Sequence, residues 1–502
     1  MNVVEQTIPV PLVPPPVAVA QKHPRGLYTL FFTEMWERFS YYGMRALLVL
    51  FMVDKVKGGM GWDDRTATAI YGLYTASVYL MSLPGGWLSD RFLGAQRAVW
   101  YGGMVIALGH CTLALPWVPS FYLGLILVVI GSGTLKPNMS GLVAELYPEG
   151  GARRDAGFTI FYMGVNLGAA LGPLICGWLA TAYGWHYGFG AAAIGMILGL
   201  VVFRFTRGAL SGAGTRRTDD KPLSLVEKII LVVGLGGGSI GALLAATGVI
   251  PISPVAIAKA MTYVIVAIAI VFFLYAFLGC GLDLGEKKRV ALILVLFLTS
   301  ALFWAGFEQA GSSFNLFAER FTSRQLDWHH FEIPAAWFQA LGPVFIITFA
   351  PAFAALWVWL GRRNLDPSIP VKFAFGLLLL GGGFVVMAGA SKLVAGGAKV
   401  LPVWLITTYL VHTFGELCLS PVGLSSVTKL APKKLVGQMM GIWFLATSLG
   451  NLLAGLLAGE FKTEAIHEWQ TLYLKIVILP AIAGLMLLVL AKPIKRLMSG
   501  VK

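Results

Sequence analysis

Apolar residues along this chain fall in long, nearly unbroken runs of about 20 residues, the length that crosses roughly 30 Å of hydrocarbon as a helix. Such runs occupy 27–54, 65–89, 97–116, 120–147, 155–181, 186–206, 225–248, 255–278, 288–318, 334–360, 371–392, 401–429, 435–459 and 470–491. Breaks rich in glycine, proline and charge separate them. The pattern predicts an all-α polytopic membrane protein of 14 transmembrane helices with both termini on one side of the bilayer.

The breaks group the helices. The opening MNVVEQTIPVPLVPPPVAVAQ has no basic start, so residues 1–26 read as a flexible tail rather than a cleaved signal peptide. A polar linker at 207–224, containing RGALSGAGTRRTDDK, follows a first six-helix bundle at 27–206. A helix pair at 225–278, poor in polar groups, then precedes a second bundle at 288–491 and a tail at 492–502. With that pair set aside, a parallel repeat emerges. LKPNMSGLVAELYP (135–148) aligns with LSPVGLSSVTKLAP (419–432), and NLGAALGPLI (166–175) with SLGNLLAGLL (448–457). Parallel six-helix halves with a site at their interface are a transporter architecture.

Composition agrees. Of 502 residues, 57% are hydrophobic and 12% charged, about half the charged share of a soluble domain. The 60 glycines suit close packing of membrane helices. The net charge of +14 invites a nucleic-acid reading, but its placement argues for topology instead. With the N-terminus inside, about 25 Lys/Arg fall on the cytoplasmic side and about 10 outside. Cys111, Cys176, Cys280 and Cys418 sit in or beside apolar runs and suggest neither a disulfide framework nor a metal site.

Motifs that would imply an enzyme fail on context. GGGSIG (236–241) resembles dinucleotide and hydrolase glycine patterns, yet both need a strand-to-helix turn and this copy lies within an apolar run. DWHHFE (327–332) has metal-ligand residue types without helical ligand spacing. His110 and His412, inside spans, read as packing hydrogen-bond formers. No catalytic residue, metal or cofactor is expected.

One stretch breaks the apolar rule: EMWERFSYYGMR (34–45). On a helix, Glu34, Glu37, Arg38, Tyr41, Tyr42 and Arg45 fall at about 0°, 300°, 40°, 340°, 80° and 20° around the axis, one face of roughly 140°. A charge at the bilayer centre costs about 2.5–3.5 kcal/mol on insertion scales, so four charges must face a cavity or partners rather than lipid. Lys136, Glu308 and Glu416 are the other deep charges. Ionisable groups inside spans commonly mark ion or substrate pathways.

These residues resemble the proton-coupled oligopeptide transporters of the major facilitator superfamily. EMWERFSYYG (34–43) matches that family's E-x-x-E-R-F-x-Y-Y signature, and IFYMGVNLG (160–168) its second, F-Y-x-x-[IV]-N-x-G. GGWLSDRFLGAQR (85–97) is similar to a superfamily loop, and FWAGFEQAGSS, LKPN and GELCLSPVGLS resemble further family segments. The resemblance spans about residues 25–495, and two extra helices are usual in bacterial members.

The resemblance implies roles. Arg38 and Lys136 would bind the peptide carboxylate, and Glu416 with Asn166 the peptide amine. Tyr41, Tyr42, Tyr79 and Ser420 would line the cavity, with Trp304 and Trp443 in side-chain pockets. Glu34, Glu37, Arg38, Arg45 and Glu308 would couple transport to protons, Arg45 pairing with Glu308 when the outer gate closes. One position departs: where the family commonly has N-P after F-Q-x-L, this chain reads FQALGP, with Gly342 in place of the asparagine.

The expected function is proton-coupled import of di- and tripeptides across a bacterial cytoplasmic membrane, by a functional monomer that contacts the lipid bilayer and no nucleic acid. The alternatives are a related carrier of nitrate or another small organic anion, for which Glu416 has little use, and a peptide receptor that does not transport.

Overall fold

The computed structural model describes residues 22–149, 151–215, 225, 229, 232–246, 253–325, 331–462 and 465–498. The proline-rich tail through residue 21, linker residues 216–224, most of 225–231, the 327–330 part of DWHHFE and the last four residues lie outside this description.

The apolar runs form helices, two of which begin at side-chain caps. The first half contains α1 (Arg25–Val53), α2 (Asp64–Leu80), α3 (Ala95–Leu113), α4 (Val118–Glu145), α5 (Gly151–Tyr183) and α6 (Trp185–Thr206). The inserted segment supplies α7 (Gly238–Ala246) and α8 (Pro254–Leu278). The second half contains α9 (Leu284–Phe307), α10 (Leu341–Arg362), α11 (Ile369–Ala395), α12 (Val403–Leu430), α13 (Val436–Ala458) and α14 (Ile466–Val489), followed by the short α15 (Ala491–Arg496). Asp63 caps α2 by accepting from Thr66 N at 2.9 Å, and Asp283 with Glu286 closes a capping box at the start of α9. Among the described residues, nine helices are long and apolar enough to cross a membrane. The charge-bearing α1 is not one of them.

Outside the inserted helix pair, three predicted spans are interrupted. The 65–89 run ends as α2 at Leu80, restarts at Ser82–Leu88 around Pro84, and finishes in a π turn at Ser89–Leu93. The 288–318 run breaks after α9 into a 3-10 turn, Glu308–Gly311, and a new helix, Ser313–Phe321. The 334–360 run opens with a 3-10 stretch, Ala335–Ala340, before α10. Proline explains the first break, since it withholds a backbone donor. The second falls where Gly306, Gly311 and paired serines surround Glu308 and Gln309.

The halves meet through α2 against α13 and α5 against α10, and the inserted α8 lies against both α2 and α13. Small residues make that seam tight: a Cβ added at Gly455 of α13 would stand 2.7 Å from the Cα of Gly72 in α2. Alternating helix directions put the described chain ends, Lys22 and Met498, at one end of the bundle. We call this the termini end; Asp64 and Arg320 lie at the far end.

Candidate functional site

The polar face of α1 turns inward, as its helical spacing requires. Glu34 is 4% exposed, Glu37 0%, Arg38 8% and Arg45 6%. Arg38 Nε donates to Glu34 Oε1 at 2.7 Å, one turn away. Glu37 Oε2 stands 2.9 Å from the same nitrogen as an ion pair, although neither Glu37 oxygen has hydrogen-bond geometry to a partner. The guanidinium of Arg38 is thus held between two carboxylates.

Two turns further, Arg45 crosses the seam. Its Nε donates to Tyr71 Oη of α2 at 2.6 Å, and its Nη2 donates to Glu308 of the second half. The break after α9 presents Glu308 at this point and brings Gly311 so close to Tyr71 that an added Cβ would overlap the phenol. Other bonds between the halves reinforce this closure. Arg320 makes two 2.7 Å bonds to Asp64, Asn315 Nδ2 donates to Ala46 O at 2.9 Å, and Ser448 Oγ donates to Ala76 O at 2.9 Å. Trp337 Nε1 also donates to Leu174 O at 2.8 Å.

Toward the termini end from this closure, polar groups lack partners. Lys136 Nζ, Ser420 Oγ, Tyr41 Oη, Tyr74 Oη and Trp304 Nε1 are buried with no hydrogen-bond partner. Lys136 stands over the Tyr41 ring at 4.0 Å and the Tyr79 ring at 5.3 Å, where the ring faces attract its charge. It precedes Pro137 inside α4, and the repeat puts Ser420, preceding Pro421 inside α12, at the equivalent place. Among the described residues, Glu416 makes no hydrogen bond or ion pair; it lies within electrostatic reach of Tyr42, Tyr162 and Glu308. Buried polar groups normally find partners, and this set, drawn from both halves and carrying both charge signs, is left without them.

The remaining expected site residues divide. Asn166 is buried and donates to Tyr162 O at 2.9 Å on its own helix, rather than reaching toward Glu416. Trp304 packs on Phe303 and Phe307, with its backbone side against Gly450 of α13. Trp443 meets Phe373 edge-on at 6.5 Å. Gly342 is buried, and a Cβ built there meets nothing within 4 Å. Its missing side chain leaves a void.

The two histidines part company. His412 Nε2 bonds with Leu380 O at 3.0 Å, as a packing residue should. His110 does not: both ring nitrogens are buried without a partner among apolar helices. Sequence reasoning did not single out Tyr71, Asn315 or the Asp64–Arg320 pair. Tyr71, Tyr74 and Thr75 share one face of α2 at helical spacing, which is a usable signal. The Asp64–Arg320 contact joins segments 256 residues apart, and local pattern carries no trace of it.

Comparison with known proteins gives the family. A sequence profile described as the POT family matches residues 96–471. The chain is 43% identical to the peptide transporter YePEPT of Yersinia enterocolitica subsp. palearctica, covering 95% of this chain and 96% of that protein. It is 36% identical to a di-/tripeptide transporter of Lactococcus lactis subsp. cremoris, covering 95% and 97%. Among solved structures, it is similar to the crystal structure of a peptide transporter POT in complex with sulfate. The TM-score is 0.87 at 43% identity, over 95% of this chain and 96% of that one.

Proposed function

This chain belongs to the POT family, whose members compared above are transporters and not enzymes, and on that premise we propose that it is a proton-coupled symporter importing di- and tripeptides by alternating access. The observation that carries the reading is the unpaired charge on both halves: Lys136, beside Arg38, on the first and Glu416 on the second. A peptide is a zwitterion, so its carboxylate suits Lys136 and Arg38 while its amine suits Glu416. Tyr41, Tyr42, Tyr79 and Ser420 border that space, and the two tryptophans offer apolar surface to peptide side chains. An anion carrier has little use for a free carboxylate at this place.

The bacterial cytoplasmic membrane is the setting, with the basic termini end in the cytoplasm and the far end outside. The structure then corresponds to a state closed to the outside. Arg45 and Glu308 latch the outer end; a proton on Glu308 removes the attraction and favours opening outward. Glu34 and Glu37 share Arg38 with the incoming carboxylate, so peptide binding alters the same ion-pair set. The monomer contains every group this cycle uses.

The test is uptake of a labelled dipeptide into proteoliposomes under an imposed inward proton gradient. Di- and tripeptides with both ends free should compete, whereas N-acetylated or C-amidated peptides should compete weakly. Equal competition by capped peptides, or uptake of nitrate in their place, overturns the reading.

A further inference from the structure

The two breaks in the second half converge on one point of α1. Glu308, in the turn that ends α9, meets the side chain of Arg45. Asn315, beyond that turn in the helix Ser313–Phe321, donates through Nδ2 to Ala46 O at 2.9 Å. Gln339, in the 3-10 stretch Ala335–Ala340, donates through Nε2 to the same oxygen at 3.4 Å. Two interrupted spans thus place two side-chain amides on the carbonyl of the residue that follows Arg45.

Packing alone does not account for Asn315. It is 1% exposed, and its Oδ1 is buried with no hydrogen-bond partner, so its polar contribution is the one bond to Ala46. A leucine of similar size would bury no unsatisfied oxygen there. Because α1 is continuous from Arg25 to Val53, holding Ala46 O fixes the height and rotation of the helix at Arg45. Gln339 is tied down in turn, since Trp337 of the same stretch donates to Leu174 O of α5 at 2.8 Å. The titratable groups within electrostatic reach of Glu308 are Arg45, Tyr41 and Tyr42 of α1, Tyr71 and Tyr79 of α2, and Glu416 of α12. Tyr409 of α12 also donates to Ala310 O in the same turn at 3.2 Å. Of the other elements packed on that turn, α13 carries no titratable residue and α9 carries its charges within 286–289, far from Glu308. Glu319 and Arg320, near the end of the helix Ser313–Phe321, are paired with Arg324 and Asp64. The two amides add no charge to this set.

We infer that Asn315, supported by Gln339, is a positioning residue for the proton-sensitive step: by holding Ala46 O it sets Arg45 against Glu308 and so fixes the proton concentration at which the far end opens. The inference rests on the reading of Glu308 as the latch. Both bonds join the halves and are lost when the far end parts, so they add to the closed state alone. Weakening them lets the far end open with less proton, which moves the pH dependence of opening toward higher pH.

The test is counterflow of a labelled dipeptide through the full chain in proteoliposomes, with the pH equal on both sides and varied. In wild type the rate should fall as pH rises, because the unprotonated pair keeps the far end closed, and Glu308→Gln should abolish that fall. Asn315→Leu removes one buried hydrogen bond and should weaken the closed state about threefold to tenfold. The midpoint should therefore move about half a unit to one unit toward higher pH. Gln339→Met removes the longer, half-buried bond and should move it the same way by about a third of a unit, a twofold effect; it keeps the inference open to test if Asn315→Leu does not fold. Combined with Glu308→Gln, Asn315→Leu should leave the profile flat. A rate lowered at every pH with the midpoint unmoved, in Asn315→Leu and Gln339→Met alike, would mark ordinary packing and overturn the inference while leaving the latch standing. A fall with pH that survives Glu308→Gln would overturn the latch itself, and the inference with it.

Discussion

The far-end closure and the central space use the same residue types in opposite ways. At the closure, Arg45 is met by Glu308 across the seam and by Tyr71 of its own half, and Arg320 is met by Asp64 across the seam. In the central space, Lys136 Nζ and Ser420 Oγ have no hydrogen-bond partner, and Glu416 has no ion pair among the described residues. A buried pair broken on one side leaves an uncompensated charge, which is strongly destabilising. On the proposed reading, paired charges hold a conformation and unpaired ones wait for a ligand. The difference separates gate from receptor within a few turns of helix.

The comparison breaks most severely if the receptor is discharged. Lys136→Ala or Glu416→Gln should lower driven dipeptide uptake about 100-fold or more, the cost of removing one partner from a buried charged contact. The protein should still purify as a folded monomer, because neither residue supports the closure. Uptake near wild type in both variants would move the peptide site elsewhere.

Next is the fit of the closure itself. Gly311→Ala places a methyl group against Tyr71, and overpacking of this kind costs about 1–3 kcal/mol. Counterflow and driven uptake should fall together by about tenfold, since both require the outer end to close. Loss of driven uptake with counterflow intact would contradict a steric role.

Smaller changes sharpen the picture. Gly342→Asn fills a void rather than displacing a neighbour, so the fold should tolerate it. One added hydrogen bond should shift relative affinities among dipeptides and tripeptides about threefold, and an unchanged competition profile would show that the void does not set selectivity. Asp64→Asn should have the smallest effect, about twofold on uptake, because the pair with Arg320 is partly exposed at 17% and 23%. An effect as large as that of Glu308→Gln would make it a second principal latch.

Much of this was legible in the chain. Run length predicted an all-helical membrane fold, and the spacing of Glu34, Glu37, Arg38 and Arg45 predicted one inward face. What escaped was long-range or local in a different sense. The break at Glu308–Gly311 lies inside a run that hydropathy reads as continuous, because Phe314, Leu316 and Phe317 resume the apolar pattern at once. Its signal is the cluster of glycine, glutamine and serine in GFEQAGSS. Asn166 had the right residue type, but residue type does not reveal that its amide folds back onto Tyr162. His110 is less accountable still: the structure buries it without a partner and supplies no physical reason.

The contrast between latch and receptor rests finally on Glu308. Driven accumulation and counterflow of the same labelled dipeptide should be measured side by side in proteoliposomes containing Glu308→Gln, which keeps the side chain's shape and fixes it as neutral. The account predicts that the variant exchanges peptide across the membrane yet no longer accumulates it under a proton gradient. Accumulation equal to that of wild type would contradict it, because the Arg45–Glu308 pair would then be a fixture of the closure and not the point where the proton acts.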